Sequence, residues 1–236
     1  MNVAMITAEN LVKKYGTLTA LNLPHLHIPE GESFGLVGNN GAGKTTFFRL
    51  VLNLISATEG RVLSKNKDVA GSEDWKHYTG SFLDENFLIG FLTPEEYFDF
   101  IARVYLLTVP VLKDQLKRFE GLFNNEVLGK KKLIRDFSRG NQKKIGIAAA
   151  LLACPEVVVL DEPFANLDPT TVSRLKKLLL EYRQEKRVTY LISSHDLRHI
   201  TEVCGRIVIL DHGLVSRDLL TGEHTLQEIE QYFAAE

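Results

Sequence analysis

Residues 38–45 read GNNGAGKT, and no other stretch of the 236-residue chain restricts the fold as much. They match G-x-x-x-x-G-K-[ST] in full, the pattern of a phosphate-cradling loop. The flanks agree with it. SFGLVG (33–38) is a compact apolar run ending in glycine, as a buried strand would, and KTTFFRLVLNLI (44–55) spaces its apolar residues as a helix does. In such a loop the glycines let backbone N–H groups turn inward around phosphates, and the helix behind it adds positive potential. Gly38, Asn39, Asn40, Gly41, Ala42, Gly43, Lys44, Thr45 and Thr46 are therefore candidate nucleotide-binding residues. Lys44 offers a point charge to β- and γ-phosphates, and the Thr45 hydroxyl is placed to ligate Mg2+.

The rest of the chain has a matching texture. QKKIGIAAALLA precedes VVVLDEP (157–163), PTTVSRLKKLLLEYRQEK precedes VTYLISS (188–194), and DLRHITEVC precedes RIVILDHG. Short apolar strands alternating with helices predict an α/β fold whose parallel sheet is covered on both faces. The first 30 residues read as short strands and turns, broken by Gly16, Pro24 and Pro29. Between about 92 and 136 the texture is helical throughout. Thr93 is a candidate N-cap, Pro94 the first helical residue and Glu96 the partner that completes a capping box, and a second helix follows Pro110. No repeat or low-complexity linker appears, so residues 1–236 read as one unit.

Composition removes several function classes. The net charge of −2 argues against a general nucleic-acid-binding surface. No apolar run approaches the roughly 20 residues a bilayer span needs, and charge interrupts the N-terminal apolar stretch too early for a signal peptide. A cytoplasmic location is expected, with any membrane role supplied by a partner. Cys154 and Cys204 stand apart among apolar residues, as buried reduced thiols would.

A phosphate-binding loop alone is shared by many enzymes, so the chemistry has to be sought downstream. VVVLDEP sets Asp161 and Glu162 at the end of an apolar strand, and in α/β sheets ligands gather at the carboxyl ends of strands. Asp161 can hold Mg2+, and Glu162 can polarise an attacking water as a general base. SSHDL sets His195 just after the next strand, where an imidazole can hydrogen-bond a γ-phosphate. NKDV (66–69) lacks the fourth-position aspartate that guanine recognition needs.

GNNGAGKT, FSRGN, VVVLDEP, ANLDP and SSHDL stand in the order and approximate spacing of the ABC-transporter ATPase family. Over nearly its whole length the chain resembles one ATP-binding subunit of that family, and EPFANLDP and SSHDL are worded most like subunits of small bacterial exporters. The resemblance implies a P-loop NTPase (RecA-like) core with an N-terminal antiparallel β subdomain and an inserted helical subdomain at about 92–136. It implies ATP and Mg2+ as cofactors, with Lys44, Glu162 and His195 as catalytic residues and Thr45 and Asp161 at the metal. Tyr15 matches the aromatic residue, ahead of the first strand, that stacks on adenine, and Asp168 matches the loop running between the two sites of a dimer.

FSRGN corresponds to the family's signature L-S-G-G-Q, with Arg139 and Asn141 as departures. Ser138 keeps its hydroxyl, Gly140 allows close backbone approach, and the helix that follows can point its N-terminus at a phosphate. Ser138, Arg139, Gly140 and Asn141 would then meet the nucleotide of a second copy. Ser138 also reads as a plain N-cap, and the two roles are compatible. The family's glutamine ahead of the helical subdomain is missing, and Asp84 falls at its place as a candidate Mg2+ ligand, with Glu85 adjacent. The implied partners are a second ATPase subunit, as a homodimer, and separately encoded permease subunits on the inner face of the membrane. The alternatives are a soluble relative acting on DNA or ribosomes, a small-molecule phosphotransferase, and a binding-only regulator. The first lacks its coiled coils or second cassette here, the second leaves Ser138, Glu162 and His195 idle, and the third would not need the full catalytic set.

Overall fold

The computed structural model describes residues 4–234. Two 12-residue strands come first, β1 (Ala4–Tyr15) and β2 (Leu18–Pro29), joined by a tight turn at Gly16. The opening region is thus a long hairpin and not a set of short strands. Pro24 does not break β2 because β2 is the outer strand of its sheet, where a missing N–H costs no ladder bond. β4 (Glu59–Ser64) and β5 (Lys67–Asp68) complete an antiparallel sheet ordered β2-β1-β4-β5.

The second sheet is ordered β10 (Leu214–Leu220), β9 (Arg206–Asp211), β3 (Ser33–Val37), β8 (Thr189–Ser194), β7 (Val157–Leu160), β6 (Thr79–Phe82). β3, β6, β7, β8 and β9 are parallel, and β10 is an antiparallel edge. Both faces are covered. Val157, Val159, Val208 and Leu210 face the core shared with the antiparallel sheet and helix α1 (Lys44–Val51). The alternate residues Val158, Leu160, Ile207 and Ile209 face the core built by the later helices. This period-2 division explains why the strands read as continuous apolar runs.

The region after residue 92 is only partly helical. α2 (Pro94–Val104) has the expected capping box from Thr93 and Glu96. α3 (Val109–Arg118) and the short α4 (Glu120–Phe123) follow, but 124–133 is turn and loop. Asn124 and Asn125 take left-handed φ angles of 52° and 58° there, which halts the helix. α5 (Arg139–Leu152) begins at the signature stretch and lies close against β6. A β-carbon on Gly146 would fall 2.2 Å from the Phe82 ring, and one on Gly80 would fall 1.9 Å from the Ala150 carbonyl. α6 (Pro169–Lys186), α7 (Leu197–Val203) and α8 (Thr225–Ala234) complete the chain.

Candidate active site

Sheet order explains how distant motifs meet. β3 lies beside β8 and β8 beside β7, all parallel, so their carboxyl ends form one row. The phosphate-cradling loop leaves β3, His195 follows β8, and Asp161 and Glu162 follow β7. The cradle itself depends on glycine geometry. Gly41 and Gly43 have φ of 87° and 107°, and Gly43 caps α1 with no room for a side chain beside the Ala20 carbonyl. A hollow of about 180 Å³ is lined by residues Asn40 to Thr46 with Ala20 and Glu162.

The polar groups in and behind the hollow form a connected set. Lys44 Nζ donates to the carbonyls of Gly38 (2.6 Å) and Asn39 (3.3 Å) and lies 3.6 Å from a Glu162 carboxylate oxygen. The other Glu162 oxygen is 2.8 Å from His195 Nδ1 and 3.3 Å from the His195 backbone nitrogen. Thr45 Oγ1 donates to Asp161 Oδ2 at 2.5 Å, and Ser193 Oγ donates to Asp161 Oδ1. Ser193 Oγ also accepts from the Glu162 amide at 2.9 Å. Burial pushes the Asp161 carboxyl above the usual carboxylate range, despite its two hydroxyl donors. Thr45 and Asp161 therefore present adjacent hard oxygens in a setting that favours a divalent cation. The donor set suits Mg2+, which takes few protein ligands beside water and phosphate. Among the described residues there is no all-protein cluster of histidine, cysteine and acidic side chains that could hold a metal.

The remaining residues named from sequence are placed as follows. Tyr15 ends β1, two strands before the cradle and not ahead of the first strand; the residue is 49% exposed, with Lys13 Nζ 5.0 Å from its ring centroid. Asp84 is not joined to Thr45 or Asp161 by any hydrogen bond; its carboxylate accepts from Asn86 N at 2.7 Å and caps a 3-10 turn over Glu85–Phe87. Asp168 caps α6, accepting from Thr171 N at 3.0 Å. Ser138 caps α5, accepting from Asn141 N at 3.3 Å, and Ser138 and Arg139 are exposed. A β-carbon on Gly140 would meet only ordinary contacts at 3.7 Å, so its own chain does not require glycine there. Ser138 and Asn141 line a second hollow with Lys130 and Lys132, and this hollow shares no lining residue with the cradle.

Two site residues do not announce themselves in the sequence. Ser193 ties Asp161 to Glu162, and its only signal is its place two residues before His195. Lys143 stands in a run of polar residues that reads as solvated, yet it is buried and donates to the carbonyls of Glu162 and Ala165, both at 2.9 Å.

A parallel α/β core with this loop, an acid pair at the strand end two places along the sheet and an inserted helical region defines a nucleoside-triphosphate-binding cassette. The pattern of the family described as ABC transporter matches residues 21–165, more than half of the chain. The ABC transporter ATP-binding protein YhaQ of Bacillus subtilis is 34% identical over 229 residues, which cover 97% of this chain and 74% of YhaQ. The bacitracin transport ATP-binding protein BcrA of Enterococcus faecalis is 34% identical over 214 residues, covering 89% and 67%. A bacterial ABC transporter cassette solved as a dimer superposes with a TM-score of 0.81 at 25% identity, covering 92% of this chain and 99% of that one. The chain belongs to the ABC transporter family of ATPases, as an ATP-binding subunit.

Proposed function

We propose that this subunit hydrolyses ATP between two copies of itself and so drives export through separate permease subunits. The observation that carries the hydrolytic part is the Glu162 carboxylate, which lies between Lys44 Nζ and His195 Nδ1 at the mouth of the cradle. In this reading the cradle's amides and Lys44 hold the β- and γ-phosphates, and Tyr15 stacks on the adenine. Thr45 and Asp161 hold Mg2+, which when bound neutralises phosphate charge. Glu162 takes a proton from water as the water oxygen attacks the γ-phosphorus. The bond to the bridging oxygen breaks, releasing ADP and phosphate, while His195 donates a hydrogen bond to the γ-phosphate. Asp84 is assigned to the loop that senses the site from the helical side, as a turn cap that can turn to the metal.

The separate hollow at Ser138 and Asn141 supports a site completed in trans. There the N-terminus of the 14-residue α5 offers free N–H groups and positive potential, with Arg139 and Gly140 beside it. Asp168, at the start of α6, would run along the dimer boundary. Among the described residues no helix is long and apolar enough to cross a membrane, consistent with a peripheral cytoplasmic subunit held by its permease. The BcrA relative is named for bacitracin transport, which favours a peptide-like compound as the transported substrate. No nucleic-acid role is assigned.

Glu162→Gln tests the reading. Turnover should fall by roughly 10²–10⁴-fold while ATP binding persists, and light scattering should show a dimer at saturating ATP and Mg2+. Turnover within about tenfold of the parent, against the roughly 10²-fold minimum for a lost general base, or a monomer persisting with ATP, would overturn it.

A further inference from the structure

We propose that Lys143 is a positioning residue: its buried ammonium fixes the backbone of Glu162 and ties that residue to the helix beginning at Ser138. This rests on Glu162 being the general base. Lys143 is 6% exposed, which is unusual for a lysine, and two of its three donor hydrogens are committed to the carbonyls of Glu162 and Ala165. The groups facing it are all acidic: Glu85 from the 3-10 turn after β6, with Asp161 and Glu162 from the end of β7. Burial pushes the Lys143 ammonium below the usual lysine range, the three carboxylates oppose that shift, and the two directed hydrogen bonds hold the group in place.

The target of those bonds is the informative part. Glu162 has φ of 49°, a left-handed conformation that its β-carbon disfavours and that surrounding structure must enforce. Ser193 holds its N–H and Lys143 holds its C=O. With both peptide groups pinned, the side chain leaves the backbone in one direction, toward Lys44 and His195. Removing the ammonium takes the donor from the Ala165 carbonyl, leaves the Glu162 carbonyl only the longer bond from the Ala165 amide at 3.3 Å, and lets the residue relax toward ordinary φ. A shift of about 1 Å at a reacting group is enough to cost on the order of 100-fold in rate. The same side chain belongs to α5, five residues beyond Ser138. The helix that would meet the partner's nucleotide thus carries the support of its own chain's base.

The test compares Lys143→Met, Lys143→Gln and the same changes in a Glu162→Gln background, in the full chain with Mg-ATP. In the parent, kcat should fall by about 10–100-fold in the methionine variant and less in glutamine, which keeps a donor, with KM within about twofold. In the Glu162→Gln background, residual hydrolysis of γ-labelled ATP should not fall further, because the group being positioned is gone. Parent-like kcat in Lys143→Met, or the same fold loss in both backgrounds, would overturn the proposal. If methionine prevents folding, glutamine carries the same comparison. Substantial turnover in Glu162→Gln alone would instead remove the general-base reading on which the proposal stands.

Discussion

Asp161 shows at a single residue how a site can oppose the fold that carries it. Its carboxylate is buried, with Glu162 nearby, and its pKa is raised first by burial. A folded-state pKa above the unfolded one gives stability that is present at low pH and lost as pH rises through the raised value. At neutral pH the ionised form therefore works against the nucleotide-free fold. Asp161→Asn should raise the melting temperature without nucleotide by about 2–4 °C, the shift expected for roughly 1 kcal/mol in a chain of this size. The gain should shrink as pH is lowered toward the carboxylate range, while Mg-dependent ATP turnover is lost. Thermal scans across pH would show it, and a melting temperature lower than the parent's at neutral pH would contradict it. At this scale the sequence reveals residues whose motif has a fixed spacing, such as Lys44, Thr45, Asp161 and Glu162. It conceals those whose role depends on which strands become neighbours. Ser193 reaches Asp161 only because β7 and β8 pair, and Lys143 is buried only because α5 lies against the loop after β7.

Among the elements, α5 joins two demands at one residue. Ser138 caps it, which any good N-cap could do, and also offers a neutral hydroxyl at the surface read as facing phosphate. Ser138→Asp separates the two. Aspartate caps as well as serine, so the melting temperature should stay within about 2 °C, less than roughly 1 kcal/mol would move it. A carboxylate facing phosphate should nevertheless abolish ATP-driven dimerisation and turnover. Turnover equal to the parent's would show that Ser138 is only a cap. The elements legible in sequence are those with local end signals. α6 begins after an Asp168 cap with Pro169 and runs the full length of its pattern, and α2 has its capping box. The long hairpin was obscured by Pro24, whose tolerance depends on an edge position that no local pattern reveals. β10 is almost wholly exposed, so it carries none of the apolar alternation by which the buried strands are read.

For the whole molecule, the separation of the cradle from the Ser138 hollow has a kinetic meaning. If each chain holds half of two composite sites, the reaction is second order in protein below the dimer dissociation constant. ATPase activity per chain should then rise in proportion to concentration and level off once dimers saturate. Serial dilution at constant ATP measures this directly, and specific activity independent of concentration down to a demonstrated monomer would contradict it. The sheet order that assembles the site was implied only in outline by alternating strands and helices, because pairing partners are set by long-range packing.

The outer strand of the hairpin bears on this as well. A flat sheet edge offers a row of free amides that a second chain can extend. Pro24 interrupts that row on β2, since its nitrogen carries no hydrogen. In the proposed dimer, where two copies meet reversibly on the nucleotide-binding face, Pro24 would guard against the chains joining edge to edge along β2, a pairing that no ligand would release.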